Sequence, residues 1–525
     1  MKTKKKDESH LNWMEGKSYS IKNPIQALRM AASSCFFGEP MYYHRDKDDK
    51  RKVKNKPSFR LTDDQVVYLR DTLNAIDNQE WRALSPAEMM EKCIDNALDF
   101  DPELTLKEAV RLRNEEHIRT TPQIILVRAA NHKSVKGTGL VRQYAKDIIL
   151  RADEPSTGLA YQLWRFKKPI PNSLKKAWRE AFERFDEYQI AKYRMESHEV
   201  KALDIMNLVH PKGEIFNKLA KGELKTTGKT WESIISEKGS NKKNWIEAIE
   251  VMGHMALLRN LRNLIEAEVN DRLFTKKLIK GAEKGKQLPF RYYSAYKAVK
   301  EIASPKVLDA VEECLTESLK NLPFFEGRVM SLCDNSGSAR GATTSSMGKM
   351  IIANIANLTG IITGMQSDEG YIGIFGDKLE VIPVRRKSSI FDQLDKADKV
   401  GEGIGQGTEN GIWLFWDKAI KDKEHWDYVF VYSDMQAGHG GLYGTNPNEY
   451  KDYQWNKTNN IDVPKLINQY RKMVNPDVMV YLVQVAGYQD TIVPEFYNKT
   501  FILGGWGEGL LKFADEMKNI DLQEN

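Results

Sequence analysis

The 525-residue sequence is poor in cysteine and has no long apolar run. Its four cysteines, Cys35, Cys93, Cys314 and Cys333, form no CxxC pair, so neither a zinc site nor a dithiol redox motif is indicated. No stretch approaches the roughly 20 apolar residues of a membrane-spanning helix. No apolar run follows the basic start MKTKKKDESHLNWMEG, so we expect no secretory signal. A cytoplasmic protein without membrane attachment is the simplest expectation.

What is present is typical of a folded protein with more than one domain. Hydrophobic residues make up 41% and charged residues 29%, and the length exceeds one ordinary hydrophobic core. The net charge of +6 is concentrated locally, because residues 1–60 hold 15 Lys and Arg against 7 Asp and Glu. A basic run at 45–56 is either a solvated loop or a phosphate contact.

Residues 24–320 show a helical pattern almost throughout. In segments such as SPAEMMEKCIDNALDF and NSLKKAWREAFERFDEYQIAKY, apolar residues recur at spacings of three and four. Strand-like alternation is nearly absent there, which predicts a solenoid or a large bundle of helices.

The pattern changes after Pro323. RVMSLCDNS, EGYIGIFGD, KLEVIPV, DYVFVYSD and DVMVYLVQVAG read as strands, and helical stretches separate several of them. Buried strands that alternate with helices predict a doubly wound, mostly parallel sheet. The sequence therefore predicts a basic tail (1–23), an all-helical module (24–323) and an α/β domain (324–525).

Oxygen-bearing side chains follow the strands of the predicted sheet. Asp334, Ser336 and Ser338 follow the first strand, Thr408 lies in the loop GEGIGQGTENG, and Asp434 follows DYVFVYS. Ligands of open α/β sheets bind at the carboxyl ends of the strands. A single DxSxS is also typical of an ordinary loop with an Asx-turn, but three elements at strand ends favour a metal site. All-oxygen ligands of low charge suit Mg²⁺ first, with Mn²⁺ or Ca²⁺ as alternatives.

The glycines Gly401, Gly403, Gly405 and Gly407 form no phosphate-binding motif, since GxxxxGK[ST] is absent. We interpret them as a flexible lead-in to Thr408. The whole arrangement resembles the metal-ion-dependent adhesion site of von Willebrand factor A domains, in which an open coordination position takes an acidic group from a partner.

The helical module resembles the TROVE module of Ro proteins, of bacterial or phage type. The matching segments are HIRTTPQIILVRAA (117–130), KYRMESHEVKALDIMNLVHPKG (192–213), HMALLRNLRNL (254–264) and KQLPFRYYSAYKAV (286–299). FILGGWGEGLLKFADEM near the C-terminus is similar to the end of Ro A domains. TROVE followed directly by an A domain is the Ro arrangement.

The resemblance implies a HEAT-like ring of TROVE helices closed by the A domain, in a monomer without catalytic activity. It implies that small structured Y-like RNA binds the outer surface. It also implies that a basic central hole accepts single-stranded 3′ ends of misfolded or damaged RNA, and that bound RNA can tether an exoribonuclease. The expected role is RNA quality control or processing.

Cations and aromatic residues are interleaved in the segment where the resemblance places RNA. This composition suits RNA, since cations neutralise phosphates and aromatic rings stack on bases. The candidate RNA-binding residues are Lys168, Lys175, Lys176, Arg179, Lys192, Arg194, His210, Lys212, Arg259 and Arg262. Their alternatives are structural: His210 as a helix-end histidine, and Arg259 and Arg262 on a solvated face. The helical spacing of Trp164 and Trp178 favours packing in the core.

The sequence departs from the family at Met206-Asn207-Leu208, where Ro proteins have leucine–arginine–leucine, and in local elaborations at 45–56 and 435–460. Two other functions stay open. One is a protein-adhesion module that recruits an acidic partner through the metal. The other is a metal-dependent hydrolase, for which His439 is the best candidate base, although no general base is well placed.

Overall fold

A computed structural model describes much of the chain. The described residues are 18–21, 23–33, 42, 86–196, 198–224, 230–285, 287, 289–342, 351–405, 411–433, 443–445, 460–485, 495–497, 499–504, 508–519 and 522–524. They belong to two compact units. Unit 1 comprises Met1–Thr227, Gly487–Gly505 and Met517–Asn525, and unit 2 comprises Gly228–Ala486 and Trp506–Glu516.

Helices form most of unit 1. They are α1 (Pro24–Ser33), α2 (Pro86–Phe100), α3 (Pro102–Asn114), α4 (Thr120–Asn131), α5 (Leu140–Ile148), α6 (Glu154–Arg165), α7 (Asn172–Phe182), α8 (Glu187–Lys192), α9 (Ala202–Val209) and α10 (Glu214–Lys221). Helix α3 shows why they form: Asp101 caps its N-terminus by accepting from the Leu104 amide, and Pro102 occupies its first turn. Leu106, Ala109 and Leu112 then face the core.

The helical pattern from Asn172 to Tyr193 predicts one helix, which is wrong, because the structure has two helices there. Helix α7 ends at Phe182, and α8 begins after Asp186. The Asp186 side chain accepts from the Gln189 amide, while the Gln189 side chain accepts from the Asp186 amide. This capping box starts a new helix where apolar periodicity alone suggests continuity.

Unit 2 begins with further helices. They are α11 (Trp231–Lys238), α12 (Lys242–Val251), α13 (His254–Arg259), α14 (Leu261–Glu266), α15 (Asp271–Ala282), α16 (Pro289–Val299) and α17 (Pro305–Leu319). Ser304 caps α17 and Pro305 opens it. The described part of the chain contains no helix both long and apolar enough to cross a membrane.

The strands follow in both units. They are β1 (Ser18–Ile21), β2 (Phe325–Asp334), β3 (Ser367–Phe375), β4 (Leu379–Pro383), β5 (Tyr428–Ser433), β6 (Tyr443–Thr445), β7 (Asn460–Asp462), β8 (Met479–Gln484), β9 (Glu495–Tyr497), β10 (Thr500–Gly504) and β11 (Leu522–Glu524). In unit 2 the order is β8-β5-β2-β3-β4, parallel except for the edge strand β4. In unit 1 the order is β11-β1-β9-β10.

The central strands of unit 2 are buried almost throughout, as expected for a parallel sheet covered by helices. The remaining helices are α18 (Ile352–Met365), α19 (Ile390–Glu402), α20 (Gly411–Lys421), α21 (Val463–Met473) and α22 (Glu508–Glu516). Every residue of α18 is buried. The predicted fold class, a helical region followed by a mostly parallel α/β domain, is confirmed.

Two details concern the predicted boundaries. Strand β1 lies in the stretch assigned to a basic tail and pairs with β9 and β11, which its alternating sequence SYSI allows. Strand β6 lies in the elaboration at 435–460 and pairs with β7, which begins at its last residue. The basic run 45–56 lies outside the described residues.

Within unit 2, the last helices before the sheet pack directly on the α/β part. The Glu312 carboxylate of α17 accepts from the Ile390 amide at 2.6 Å and thereby caps α19. Tyr296 of α16 stacks on Phe391 with ring centroids 3.9 Å apart. The helical and α/β regions therefore meet without a linker here.

Candidate functional site

The carboxyl end of β2 carries a compact group of oxygen-bearing side chains. The Ser336 amide donates to Asp334 Oδ1 at 2.9 Å, and the Ser336 and Ser338 hydroxyl oxygens lie 3.2 Å apart. Asp334 and Ser336 are fully buried. The structure thus brings together the three predicted ligands of the DxSxS motif.

Sequence reasoning missed one member of this group. Ser433, the last residue of the neighbouring strand β5, donates its hydroxyl to Asp334 Oδ2 at 2.7 Å. Its position directly before Asp434 at a strand end was the available signal. The predicted ligands Thr408 and Asp434, and the candidate base His439, lie outside the described residues.

The chemistry of these donors fits a hard divalent cation. Asp334 supplies a carboxylate, and Ser336 and Ser338 supply neutral hydroxyl oxygens, a set that Mg²⁺ prefers to softer metals. Among the residues that the structure describes, no three His, Cys, Asp or Glu side chains are grouped to hold a metal. A zinc-type centre of nitrogen and sulfur ligands is therefore not formed by that part of the chain.

Asn335 and Arg340 brace the loop that holds the hydroxyls. The Asn335 side chain donates through Nδ2 to Asn357 Oδ1 of α18 at 2.8 Å. Arg340 Nη1 donates to Asn335 Oδ1 at 2.9 Å and to Asp398 Oδ1 of α19 at 3.0 Å. The loop between Asp334 and Ser338 is thus fixed from two helices, and a metal-binding loop benefits from such outer support.

The interpretation of Gly401 as part of a flexible lead-in is wrong. Gly401 is buried in the last turn of α19, where a Cβ would lie 2.2 Å from Asn335 Oδ1 and 2.6 Å from Arg340 Nη1. Only glycine allows the brace to approach the helix this closely.

Gly401→Ala is therefore expected to displace Asn335 and Arg340 and to weaken Mg²⁺ binding. We expect roughly a 10-fold loss of affinity, the lower end of the effect of disturbing groups behind metal ligands. Isothermal titration calorimetry measures this effect. Gly403→Ala is the control, because the nearest heavy atom to its added Cβ would be 3.8 Å away. Equal losses in the two variants would contradict the bracing role.

In unit 1, α7 and the C-terminus of α9 bring three predicted RNA-binding residues together. Arg179 Nε of α7 donates to the Val209 carbonyl at 2.6 Å, directly before His210. His210 ends α9 with a φ of 48°, and the Lys212 amide donates to Glu183 Oε1 at 3.0 Å. Arg179, His210 and Lys212 are all exposed. Arg179 also satisfies a helix-end carbonyl, so part of its role is structural.

Lys192 and Arg194 do not share a helix. Lys192 is the last residue of α8, and its ammonium lies 5.5 Å from the Tyr188 ring centroid and 5.8 Å from that of Tyr193. Arg194 follows the helix and lies 3.4 Å from Glu196. Lys192 therefore belongs to a helix end, and Arg194 belongs to the segment that follows it.

Lys168, Lys175 and Lys176 lie before and within α7, and Lys168 and Lys176 are exposed. The two tryptophans of this region differ. Trp178 is fully buried, as its spacing predicts, whereas Trp164 is 44% exposed.

Unit 2 has a cleft of about 420 Å³ beside α13, α14 and α16. Three exposed arginines line it: Arg259, Arg262 and Arg291. Its other lining residues are Met255, Leu258, Leu261, Ser294, Ala295, Ala298 and Val299. Sequence reasoning missed Arg291, although it stands in the quoted segment KQLPFRYYSAYKAV. Three guanidinium groups around an apolar floor make an anion site with room for an organic group.

His254, directly before the cleft residue Met255 in the sequence, is rigidly held. His254 Nε2 lies 2.8 Å from the Tyr292 hydroxyl. A Cβ on Gly281 would lie 2.7 Å from His254 Nδ1, so glycine makes room for the imidazole. Burial lowers the pKa of His254, which favours the neutral ring. The cleft's positive charge therefore comes from its arginines.

The TROVE domain family profile matches residues 61–227 and 215–322. The chain belongs to the Ro family of TROVE-domain proteins. It is thereby an RNA-binding protein of the Ro type, and the resemblance seen in the sequence is confirmed.

This Ro-family chain is also similar in structure to the Deinococcus radiodurans RO (RSR) protein, known from a crystal structure. The TM-score is 0.59 at 14% sequence identity, over 81% of this chain and 93% of that one. At this identity the likeness shows a shared fold. No curated protein matches the sequence.

Proposed function

We propose that this Ro-family protein is a non-catalytic scaffold for RNA quality control or processing. It binds a small structured, Y-like RNA on its helical surface and single-stranded 3′ ends of misfolded or damaged RNA at the arginine cleft. Bound RNA can then tether a processing enzyme such as an exoribonuclease. The observation that carries the proposal is the cleft lined by Arg259, Arg262 and Arg291.

The arginines of the cleft suit a polyphosphate chain. Within the described residues, Arg259 and Arg291 form no ion pair, and Arg262 pairs only with the exposed Glu266 at 2.8 Å. An exposed pair of this kind is worth about 1 kcal/mol or less, so phosphate can displace it. The apolar floor accommodates ribose and base without reading base edges. This combination favours a single strand of any sequence.

The face formed by Arg179, His210 and Lys212 supports the structured-RNA part of the proposal. Arg179 lies in the last turn of α7, His210 ends α9 and Lys212 follows two residues later, and all three residues are exposed. Groups held by helices present a fixed pattern of positive charge, which suits a duplex backbone of fixed shape. We propose further that the protein acts as a monomer.

A second function is supported by the group at the end of β2. We propose that Asp334, Ser336 and Ser338, with Thr408 and Asp434, hold Mg²⁺ and that the ion binds an acidic group of a protein partner. The buried carboxylate with adjoining hydroxyls supports this adhesion role. It is compatible with the RNA scaffold, because a scaffold also recruits proteins.

Replacing Arg259, Arg262 and Arg291 together by glutamine tests the RNA-binding function. We expect weaker binding of a single-stranded RNA and a log–log salt slope smaller by about 2, at roughly 0.7 for each lost phosphate contact. A blunt RNA hairpin should bind with much less change. Fluorescence anisotropy over a salt series measures both.

Arg272→Gln is the matched control, because Arg272 is an exposed arginine of unit 2 outside the cleft. Unchanged single-strand binding in the triple variant would contradict the proposal for the cleft. Equal losses for both RNA types would show that the cleft contributes only general positive charge.

A further inference from the structure

Trp164 is the starting point, because its ring is much more exposed than those of other tryptophans in the described residues. Trp178, Trp416 and Trp426 are buried, but Trp164, one residue before the end of α6, is 44% exposed. An exposed indole ring offers a flat surface on which a nucleobase can stack. The helical spacing of Trp164 predicts that its side chain packs in the core, yet much of its ring lies at the surface of the fold.

The Trp164 ring has an aromatic residue behind it. Tyr161, which is fully buried, lies 6.2 Å from it between ring centroids with an interplanar angle of 34°. Tyr161 is itself fixed: its hydroxyl accepts from Arg128 Nη1 at 2.7 Å and donates to Glu91. Trp164 is thus backed by an ordered side chain, which lowers the entropic cost of stacking a ligand on it.

Two lysines stand three and four residues after Trp164. Lys167 and Lys168 are exposed, and within the described part of the chain neither is within ion-pair distance of a carboxylate. The loop that holds them is ordered, because buried Gln162 donates through Nε2 to the Lys167 carbonyl at 3.1 Å. Lys167 has a φ of 61°, a conformation that this hydrogen bond helps to hold.

The neighbouring carboxylate does not cancel this charge. Glu91 is almost fully buried, and it is paired with Arg128 at 3.2 Å and with Arg165 at 3.2 Å. An exposed ring that is followed within four residues by two exposed lysines fits a ligand with a flat π-face joined to an anion. A nucleotide of single-stranded RNA has both, and every base offers a π-face.

We infer that Trp164, Lys167 and Lys168 form a second single-strand contact, on unit 1: an unpaired base stacks on Trp164 while the flanking phosphates contact the two lysines. This inference rests on the proposed RNA-binding function and extends it to residues outside the arginine cleft. The site reads no base identity, because stacking and phosphate contact are common to all nucleotides.

The test compares Trp164→Ala and Trp164→Phe with the unaltered full chain. One probe is a short single-stranded RNA with bases, and the other is the same ribose-phosphate chain without bases. Stacking on an aromatic residue is typically worth 1–3 kcal/mol for each base, so Trp164→Ala should weaken binding of the first probe roughly 5- to 150-fold. Trp164→Phe should recover part of this affinity, and binding of the abasic probe should not change.

Phe100→Ala is the matched control, since Phe100 of α2 is 56% exposed in the same unit and lies beside no lysine pair of this kind. Lys167→Ala with Lys168→Ala should instead reduce the binding of both probes and lower the salt slope by about 1.4. If Trp164→Ala binds the base-bearing probe as tightly as the unaltered chain does, the stacking site is wrong and Trp164 serves another partner. If the unaltered chain binds neither probe, the proposed RNA-binding function fails as well.

Discussion

Asp334→Asn is expected to abolish Mg²⁺ binding while the chain stays folded. The substitution removes the negative charge that holds the cation but keeps the shape of the side chain. Oδ1 can still accept from the Ser336 amide, and the Ser433 hydroxyl can reverse its role and accept from the new amide group. Because loss of a supporting residue already costs 10- to 100-fold, loss of the ligand itself should cost more than about 100-fold.

Calorimetry with Mg²⁺ measures this effect. Asp427→Asn is the matched control, because Asp427 lies directly before β5 at the opposite end of the sheet, where it accepts from the Arg328 amide at 2.7 Å. Retained Mg²⁺ affinity in Asp334→Asn, or a similar loss in both variants, would refute the metal site.

Arg128→Met is expected to destabilise unit 1 strongly. Arg128 of α4 is 7% exposed and contacts Asp95, Glu91 and the Tyr161 hydroxyl. Burial is the largest single effect and alone would lower the pKa of Arg128, but the hydrogen bond to Asp95 and the charges of Asp95 and Glu91 together outweigh it, so the pKa is raised. Removing the cation leaves the Glu91 carboxylate buried with less compensation. Breaking a buried pair in this way costs about 3–5 kcal/mol of unfolding free energy.

Chemical denaturation followed by circular dichroism measures the loss. Arg142→Met is the control, because Arg142 forms an ion pair with Glu180 in which both side chains are well exposed. Exposed pairs contribute about 1 kcal/mol or less. If Arg128→Met is no less stable than the control, the network is not a structural support of unit 1, and the order argued for Tyr161 and Trp164 loses its basis.

Several features were predictable from the sequence because local pattern determines them. The strands ending at Asp334 and Ser433 contain the mostly apolar, mostly buried runs VMSLC and YVFVY, which a covered parallel sheet requires. The DxSxS motif converges because its residues share one loop at a strand end. The family resemblance was equally accessible, because it depends on short segments with fixed residue order.

Other features depend on contacts between distant segments. Trp164 and Trp178 both have helical spacing, so the sequence does not distinguish them. In the structure Gly158 packs against the Trp178 ring so closely that an added Cβ would lie 3.2 Å from it, which shows that Trp178 is enclosed. Gly401 looks like part of a flexible loop until Asn335 and Arg340 are placed against it. Arg291 joins Arg259 and Arg262 only because α16 packs beside α13 and α14.

The most direct test of the Ro-type function measures binding of the intact chain to three RNAs over a series of salt concentrations. The RNAs are a hairpin with a single-stranded 3′ tail, the same hairpin without the tail, and the tail alone. We expect the tailed hairpin to bind most tightly, because it can contact a structured-RNA face and single-strand sites together. We also expect affinity for all three to fall steeply with salt. No salt-dependent binding of any of them would contradict the function proposed for this protein.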